Sequence, residues 1–300
     1  MSVRLLDKGR CVGGRMATRC MGVARLDHGA QYFTVRDSRF QVLVDTWLEA
    51  GVVKEWFRHL PEDSNPKGYP RYCGLRGMTD IPKYLAKDLD ILVSAEVTKL
   101  ARDAGLWIVQ TASNDFFAAR ELVITIPLPQ ALNLLETISH EFTKGNIEAL
   151  KKVRYERGLA TLAILDGPSG LPEPGGLKVH DAPLSWIADN QIKGISPDVS
   201  AITIHANANF ADEHWDSCDN LRGKIMIEAA APLIRSDVSE FNCHRWGFTT
   251  PINPYPEQYF HNEDLRFTLA GDSFGGARIE GAALSGFAAA SRILGSQRFG

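Results

Sequence analysis

The first residues of the chain constrain its fold more than any other stretch. A short apolar run at residues 3–6 ends at the carboxylate of Asp7, and a Gly13-Gly14-Arg15 turn follows. An acid at the end of a strand can accept hydrogen bonds from ribose hydroxyls, as dinucleotide-binding folds require. The glycines let backbone amides approach a pyrophosphate, and the planar guanidinium of Arg15 suits phosphate oxygens. Taken alone, the stretch is also compatible with a plain strand and a surface turn.

A second Gly-rich stretch lies near the other end of the sequence. An apolar run at residues 265–270 closes on Gly271-Asp272, and a Gly-rich loop then leads into a helix rich in Ala, Ser and Gly. Small residues allow such a helix to lie close to a sheet. Its N-terminus offers unpaired amides and a positive dipole end, which favour an anion or the polar edge of a ring.

Three sequence blocks, in this order, resemble the renalase-like FAD-dependent oxidoreductases, which are relatives of the flavin amine oxidases. The blocks are D-K-G-R-x-x-G-G-R-M-A-T-R at residues 7–19, D-H-G-A-Q-Y-F-T at 27–34, and G-D followed by R-I-E-G-A at 271–282. The resemblance extends along almost the whole chain. It implies an α/β fold with a Rossmann-like FAD-binding domain and a separate substrate domain.

The sequence departs from that family at its start. Family members begin with a strand, a Gly-x-Gly-x-x-Gly turn and a helix, and the ribose-binding acid follows the turn by about 20 residues. Here Asp7 is the seventh residue, and the 300 residues contain no Gly-x-Gly-x-x-Gly. We therefore expect a Rossmann-like domain whose first βα unit is missing, in a chain that is either incomplete or has lost this unit.

The resemblance implies how the matching residues would hold FAD. Asp7 would bind the adenosine ribose and Asp272 the ribityl hydroxyls, and Val97 would reach the adenine through its backbone. The remaining expected contacts are those to the pyrophosphate (Gly13, Gly14, Arg15), to the reactive edge of the isoalloxazine (Gly29, Ala30, Gln31), from the tail helix (Gly281, Ala282) and from the other matched positions (Lys8, Arg10, Gly271, Arg278, Glu280). The FAD is expected to be non-covalent, because residues 271–286 contain no cysteine or histidine.

The substrate side is less constrained, because in a flavoenzyme the flavin performs the redox step and the protein orients the substrate. Hydride abstraction requires no catalytic acid or base. The candidate catalytic residues are Gln31, Trp186, His205 and Trp246. Trp186 could stack on a flat heterocycle and His205 could orient a substrate, although both residue types also pack structurally in sheets.

Changes in composition divide the chain. We assign residues 1–57, 71–128 and 262–300 to the FAD-binding domain, and residues 58–70, which are polar and contain three prolines, to a crossover loop. Residues 129–261 alternate between helices and strands, which predicts an inserted α+β substrate domain built on an antiparallel sheet.

Several local elements are also predicted. Asp37 as N-cap and Gly51 as stop bound one helix, and residues 219–234 form a longer one. A turn at residues 103–105 predicts a hairpin between strands at 96–100 and 106–110. Strands are also expected at 121–126 and, interrupted by Gly29-Ala30, at 25–33.

Charge and cysteine usage exclude other classes of function. The net charge of −3 provides no general attraction to nucleic acid or anionic membrane, and no run of 18 apolar residues predicts a membrane span. Five dispersed cysteines indicate reduced thiols in the cytoplasm, and neither cysteine nor histidine spacing predicts a metal site. The expected partners are a small reduced nitrogen-containing substrate, either dihydronicotinamide-type or an amine, and dioxygen as the acceptor.

Two alternatives were weighed. G-D-S-F-G at residues 271–275 matches the Gly-x-Ser-x-Gly elbow of serine hydrolases, but that fold places an acid and a histidine after the serine. Beyond Phe274 there is one carboxylate, Glu280, and no histidine, so this interpretation fails. The alternative that stays open is a truncated, non-catalytic remnant of the family with weak or no flavin binding.

Overall fold

The computed structural model describes residues 2–60, 68–141, 144–180 and 183–296, so most of the predicted crossover loop at 58–70 lies outside the described residues. The helices are α1 (Ser38–Glu49), α2 (Asp80–Ala86), α3 (Leu128–Leu135), α4 (Lys144–Lys151), α5 (Ala208–Glu213), α6 (Asp219–Ile234), α7 (Asp272–Gly275) and α8 (Ile279–Ser296). Short 3₁₀ helices occupy Gly14–Met16 and Glu136–Glu141.

The strands are mostly short. They are β1 (Arg4–Leu6), β2 (Thr18–Met21), β3 (Ala24–Asp27), β4 (Val53–Phe57), β5 (Arg71–Gly74), β6 (Asp90–Leu92), β7 (Val97–Asp103), β8 (Leu106–Thr111), β9 (Phe116–Ala119), β10 (Leu122–Ile124), β11 (Gly158–Leu165), β12 (Gly176–Lys178), β13 (Leu184–Asp189), β14 (Ala201–Ala206), β15 (Val238–Trp246), β16 (Phe260–Asn262) and β17 (Phe267–Leu269).

The first strand belongs to a small parallel sheet. β1 pairs in parallel with β6, and the amide of Asp7 donates to Leu92 O at 2.9 Å just beyond the paired residues. The carbonyl of Asp7 in turn accepts from the amide of Ala95 at 2.9 Å. Asp7 therefore lies at the carboxyl end of a parallel pair, the edge at which α/β sheets bind ligands.

A second sheet has the order β10-β17-β16, in which β10 and β17 are parallel. The three-stranded sheet β7-β8-β9 and helix α3 pack around it in one apolar cluster. Trp107 is fully buried there, and its indole N–H donates to Leu265 O at 2.8 Å. Leu135 and Leu150 join the same cluster, so α3 and α4 pack on this sheet.

The largest sheet is antiparallel, with the order β12-β13-β14-β11-β15. One face packs against α5 and α6, where Leu159, Phe210 and Met226 share a core. Residues of the β2–β3 hairpin pack against Leu162, which points to the other face. Because both faces are covered, β11 is apolar along nearly its whole length rather than alternating.

Most local predictions are confirmed. Strands β7 and β8 form the expected hairpin through residues 103–105, and α6 occupies Asp219–Ile234. The side chain of Asp37 accepts from the amide of Arg39 and caps α1, and Gly51 follows that helix at φ 66°. The division into an FAD-binding and a substrate domain stays a prediction.

Two predicted strands are shorter than expected. β10 covers Leu122–Ile124 only, and β3 ends at Asp27, after which Phe33 makes a single bridge with Tyr72. The early end of β3 has a physical cause. A Cβ on Gly29 would come within 2.0 Å of Arg15 O, so the backbone leaves the strand to pass against the Gly14–Met16 turn.

Candidate functional site

The two Gly-rich stretches at opposite ends of the sequence meet at an ion pair. Arg15 follows Gly13 and Gly14, whose φ angles of 127° and 51° suit glycine, and Asp272 follows strand β17. The guanidinium donates to both carboxylate oxygens of Asp272, at 2.5 and 2.8 Å, across 257 residues of sequence. Burial disfavours the charge on Arg15, but the hydrogen bond and charge of Asp272 outweigh burial and raise the pKa of the guanidinium.

Two further side chains complete this arrangement, which we call the Arg15–Asp272 network and which consists of Arg15, Asp272, Tyr155 and Ser273. The Tyr155 hydroxyl lies 3.0 Å from Asp272 Oδ1 and 2.5 Å from Ser273 Oγ. Burial raises the pKa of Tyr155 to about 12, so the hydroxyl stays protonated at neutral pH. Sequence analysis missed Tyr155, because its partners lie more than a hundred residues away and no local pattern marks it.

The geometry also bears on the serine hydrolase interpretation. Ser273 is 2% exposed and its hydroxyl is engaged with Tyr155. Its backbone carbonyl accepts from the amide of Tyr255 at 2.7 Å. A nucleophilic serine must be open to substrate and bonded to a base, so Ser273 has a structural environment.

The segment Asp27–Gln31, which we call the Gly29 loop, runs beside this network. The amide of Ala30 donates to Arg15 O at 2.9 Å. The side-chain amide of Gln31 donates to Asp27 O at 2.6 Å and to Gly29 O at 3.1 Å. The structure therefore brings the predicted residues Gly29, Ala30 and Gln31 against the turn that carries Arg15.

A row of large side chains lies on the face of the antiparallel sheet that also carries Leu162. Trp186 on β13 lies opposite His205 on β14, and Ala160 on β11 lies opposite both His205 and His244 on β15. Two residues earlier on β11, Gly158 lies opposite Trp246. Residues opposite one another share a sheet face, so these four large side chains lie on the same face of the sheet. We call Trp186, His205, His244 and Trp246 the aromatic wall.

The aromatic wall contacts the Gly29 loop. The indole N–H of Trp246 donates to His28 O at 2.8 Å, and the His28 ring lies 5.0 Å from the rings of His244 and Trp246. Tyr32, just after the loop, lies 5.7 Å from the ring of Trp186. Three of the four predicted substrate-side residues thus lie on one sheet face, and Gln31 lies in the loop that contacts it. His28 and His244 were not predicted.

The histidines here are uncharged at neutral pH. Burial lowers the pKa of His205 to about 4. Burial, followed by the charge of His244, lowers the pKa of His28 to about 4, and burial also lowers the pKa of His244. Each neutral imidazole provides one donor and one acceptor nitrogen, and none provides a positive charge.

Several buried polar atoms at this place have no hydrogen-bond partner in the described part of the chain. They are His28 Nδ1, Gln31 Oε1, Trp186 Nε1 and His205 Nε2. Buried polar side-chain atoms in native proteins nearly always have a partner, so such a group of exceptions needs a reason. A ligand that carries its own donors and acceptors would supply the missing bonds.

The other predicted cofactor residues surround these elements. Asp7 Oδ1 accepts from the amide of Gly9 at 2.7 Å, and Val97 begins strand β7 shortly after the Ala95 amide that bonds Asp7 O. In the described part of the chain, Asp7 forms no hydrogen bond with Asp272. Lys8, Arg10 and Arg278 are exposed.

Helix α8 begins against the Gly29 loop and the Arg15 turn. Ile279 and Ala283 pack in one cluster with Met16 and Ala30. Glu280 is buried, and its Oε1 accepts from the amides of Arg36 and Asp37 at 2.6 and 2.8 Å, so this carboxylate binds the backbone that leads into α1.

The position of Gly281 leaves no room for a side chain, since a Cβ there would lie 2.4 Å from Gly276 O. The Gly271-to-Gly281 stretch is therefore packed backbone against backbone, and Ala282 follows in α8, its amide bonded to Arg278 O. The first amides of α8 have no acceptors within the helix, which leaves them available to another group.

Two other kinds of site were sought. In the described residues, no group of three or more His, Cys, Asp or Glu side chains could hold a metal ion. Within the same residues, no helix is long and apolar enough to cross a membrane. A surface cavity of about 500 Å³ is lined by Glu257, Gln258, Tyr259, His261, Glu263 and Arg292, none of them a predicted site residue.

Comparison with known proteins identifies the family. Residues 56–294 match the family model described as flavin containing amine oxidoreductase. The chain is similar to renalase of Mus musculus, with 24% identity over 300 aligned residues that cover 92% of this chain and 86% of that protein.

Solved structures show the same fold at low sequence identity. A protein from Exiguobacterium sp. 255-15 superimposes with a TM-score of 0.70 and 12% identity, covering 98% of this chain and 93% of the other. A triple mutant of putrescine oxidase superimposes with a TM-score of 0.66 and 11% identity, covering 96% and 92% of the two chains.

Proposed function

Because the chain belongs to the family of flavin-containing amine oxidoreductases, we propose that it is an FAD-dependent oxidase of a small, reduced, nitrogen-containing substrate. The chain is an oxidoreductase whose family uses a flavin. FAD as the particular flavin, its non-covalent attachment and dioxygen as the electron acceptor are our proposals. When bound, the flavin would supply the two-electron chemistry: it would take a hydride from the substrate and pass the two electrons to dioxygen, which would take up two protons and leave as hydrogen peroxide.

The residues around the Arg15–Asp272 network fit such a cofactor. Asp272 Oδ1 already accepts from Arg15 and Tyr155, whereas Oδ2 accepts from Arg15 alone and keeps a second lone pair that can accept from a ribityl hydroxyl. The amides of Gly13 and Gly14 lie at the start of the Gly14–Met16 turn and have no acceptor inside it. The φ angle of Gly14 is accessible at low cost only to glycine. Asp7, at the carboxyl end of β1, would take the adenosine ribose.

One observation carries the choice of substrate: the unpartnered buried atoms of Gln31, Trp186 and His205 lie where the aromatic wall meets the Gly29 loop. Together they offer a donor on the indole and an acceptor on the amide oxygen, a combination that suits a carboxamide. The wall's aromatic faces suit a flat ring. We therefore propose a neutral dihydronicotinamide-type heterocycle as the substrate.

A protonated amine fits the same place less well. The carboxylate of the Gly29 loop, Asp27, is bonded to Lys193, and the histidines there are neutral, so a buried ammonium would lack a negative partner. The faces of Trp186 and Trp246 could still attract a cation. An amine, deprotonated or held by these rings, is therefore the second candidate substrate.

The experiment that tests the proposal starts with the colour of the purified chain. Oxidised flavin absorbs near roughly 450 nm, and release by denaturation identifies it as FAD and as non-covalent. Anaerobic mixing with dihydronicotinamides, and separately with primary and secondary amines, should bleach this band for the heterocycle. Admitting air should restore it with uptake of dioxygen. A folded but colourless protein that takes up no added FAD would instead support the non-catalytic remnant.

Two variants test the cofactor assignment itself. Asp272→Ala removes the proposed ribityl acceptor, and Asp7→Ala removes the proposed ribose acceptor. Both should retain less flavin per folded chain than the wild-type protein after gel filtration. If both retained the full amount, the proposed placement of FAD would be wrong, whatever reaction the protein catalyses.

The compartment is also a proposal. All five cysteines are free, and Cys11, Cys20 and Cys218 are exposed. Exposed free thiols suit a reducing compartment, so we propose the cytoplasm.

A further inference from the structure

A buried lysine that sequence analysis did not single out joins the antiparallel sheet to the Gly29 loop. Lys193 lies in the turn between β13 and β14 and is 1% exposed. Its ammonium nitrogen lies 2.7 Å from Asp27 Oδ2 and 2.7 Å from the carbonyl oxygen of Gln31. The same nitrogen lies 4.4 Å from the centre of the Trp56 ring.

The other carboxylate oxygen of Asp27, Oδ1, accepts two hydrogen bonds. Asp27 Oδ1 accepts from the hydroxyl of Thr18 at 2.6 Å and from the amide of Met78 at 2.8 Å. Asp27 Oδ2 accepts from the ammonium of Lys193. The carboxylate therefore ties together the β2–β3 hairpin, the start of the segment leading to α2 and the turn after β13.

A fully buried ion pair is an inefficient source of stability, because desolvation of both ions offsets their attraction and apolar residues of similar volume often do as well. The Lys193 ammonium instead fixes the geometry of the loop. It holds the Gln31 carbonyl in place, while the Gln31 side chain in turn bonds Asp27 O and Gly29 O. Both ends of the Gly29 loop thus depend on one nitrogen atom.

We propose that Lys193 is a positioning residue that sets the placement of Gly29, Ala30 and Gln31 at the reactive edge of the flavin. It acts through the Gln31 carbonyl and touches neither flavin nor substrate. This inference rests on the proposed function, since it assumes that the Gly29 loop borders the ring. It adds a residue from the antiparallel sheet to the control of the redox site.

The test uses a variant that removes the ammonium without leaving a buried charge. Lys193→Met alone would strand the Asp27 carboxylate and could prevent folding. In the double variant Lys193→Met/Asp27→Asn, the asparagine oxygen can still accept from Thr18 and Met78, so the fold keeps those two bonds. The bond to the Gln31 carbonyl is lost.

Lys54→Met provides the matched control. Lys54 Nζ donates to the carbonyls of Lys193 and Gly194, at 2.7 and 3.3 Å, so it holds the same turn from outside and does not contact the Gly29 loop. It is not part of the proposed site, and its loss should leave the loop and the turnover unchanged.

The first readout is amide hydrogen exchange of peptides covering residues 28–31, measured without flavin. We expect the double variant, at a thermal midpoint close to that of the wild-type protein, to exchange these amides about tenfold faster, because the loop opens locally. The second readout is kinetic. Flavin reduction at saturating substrate should slow by about tenfold or more with KM changed much less, because a displaced loop misaligns bound substrate.

The outcomes separate the two proposals. Wild-type-like exchange and turnover in a folded double variant would overturn the positioning role and leave Lys193 as a neutraliser of Asp27. Faster exchange in a chain that binds no flavin would support the effect of Lys193 on the loop while the proposed function itself fails. Equal effects from Lys54→Met would also overturn the proposal, because the effect would then belong to the turn and not to the ammonium.

Discussion

The Arg15–Asp272 network and the aromatic wall both bury polar side chains, but they differ in how these groups are paired. In the network, hydrogen bonds run from the Arg15 guanidinium to the Asp272 carboxylate, from there to the Tyr155 hydroxyl, and on to the Ser273 hydroxyl. In the wall, Trp186 Nε1 and His205 Nε2 are buried without a partner in the described residues. The paired region joins distant segments of chain, whereas we propose that the unpaired region receives a ligand.

The largest effect should follow from breaking the paired region. Asp272→Ala leaves the Arg15 guanidinium, which is 30% exposed, without its bidentate partner. Removing one member of a buried pair costs about 3–5 kcal/mol. We expect the lower end, about 3 kcal/mol, because the Arg15 charge left behind is 30% exposed and still donates to the carbonyls of Phe248 and Thr249. Urea unfolding of the flavin-free protein measures the loss.

Asp90→Ala is the control for this prediction. The Arg4–Asp90 pair has a similar distance, 2.8 Å, but both side chains are 54% exposed, and exposed pairs contribute about 0–1 kcal/mol. Equal losses of stability from the two variants would show that the Arg15–Asp272 network is not the junction that its burial indicates.

The second effect concerns the pH dependence of stability and originates in the wall. In the native protein the pKa of His205 is about 4, whereas an unfolded histidine has its usual pKa near 6.5. Below about pH 6.5 the unfolded chain binds protons that the native protein does not bind until about pH 4, so stability falls on acidification across this window. For His205 alone the loss at pH 4 is on the order of 3 kcal/mol.

Comparing wild-type protein with His205→Leu isolates this contribution, because the carboxylates titrate in both. The difference in free energy of unfolding between the two proteins should be constant above about pH 7 and should shift in favour of the variant as the pH falls below about 6.5. A difference that stayed constant down to pH 4.5 would show that His205 is not held neutral.

The third effect, at pH 7.5, separates stability from binding. His205→Leu removes a buried nitrogen without a partner but also the hydrogen bond of the His205 ring to the His28 backbone, so the two effects should nearly cancel and leave stability within about 1 kcal/mol of wild type. It should nevertheless bind substrate more weakly, and we expect KM for the heterocycle to rise about tenfold, the value of one lost hydrogen bond.

A paired histidine supplies the contrast. His261 Nδ1 lies 2.9 Å from Thr268 Oγ1 and its Nε2 lies 3.2 Å from Glu263 Oε2. His261→Leu should therefore lose about 1 kcal/mol of stability without a change in KM. The opposite pattern, with His205 needed for stability and His261 for KM, would contradict the distinction between the two regions.

These comparisons also show what the sequence could reveal. Local elements such as α6 and the β7–β8 hairpin are encoded by nearby residues, namely periodic apolar positions and a turn signal, and were predicted with their positions. The three blocks that carry the family resemblance identified Arg15 and Asp272, which the structure brings into contact.

The missed residues depend on register and long-range packing. His205 was singled out, but His244 was not, because only the pairing of β14, β11 and β15 places the two on one face. A shift of one residue in any of these strands would send its side chains to the opposite face. His28 was missed because its contacts with His244 and Trp246 arise from long-range packing of the Gly29 loop. Lys193 was missed for a similar reason, since its partner Asp27 lies 166 residues away.

The smallest effect should follow from Ser273→Ala, which trims the network without breaking it. The variant loses the 2.5 Å contact between Ser273 Oγ and Tyr155, but Tyr155 can still bond Asp272 Oδ1, so the hydroxyl is not left without a partner. The expected cost is about 0.5–1 kcal/mol in urea unfolding, typical of one neutral hydrogen bond.

Flavin content and oxidase turnover of the Ser273→Ala variant should be unchanged, because a serine that is 2% exposed does not meet substrate. If Ser273→Ala abolished a reaction while the flavin remained bound, Ser273 would be acting as a nucleophile, and the distinction between a joining network and a ligand-binding wall would have to be withdrawn.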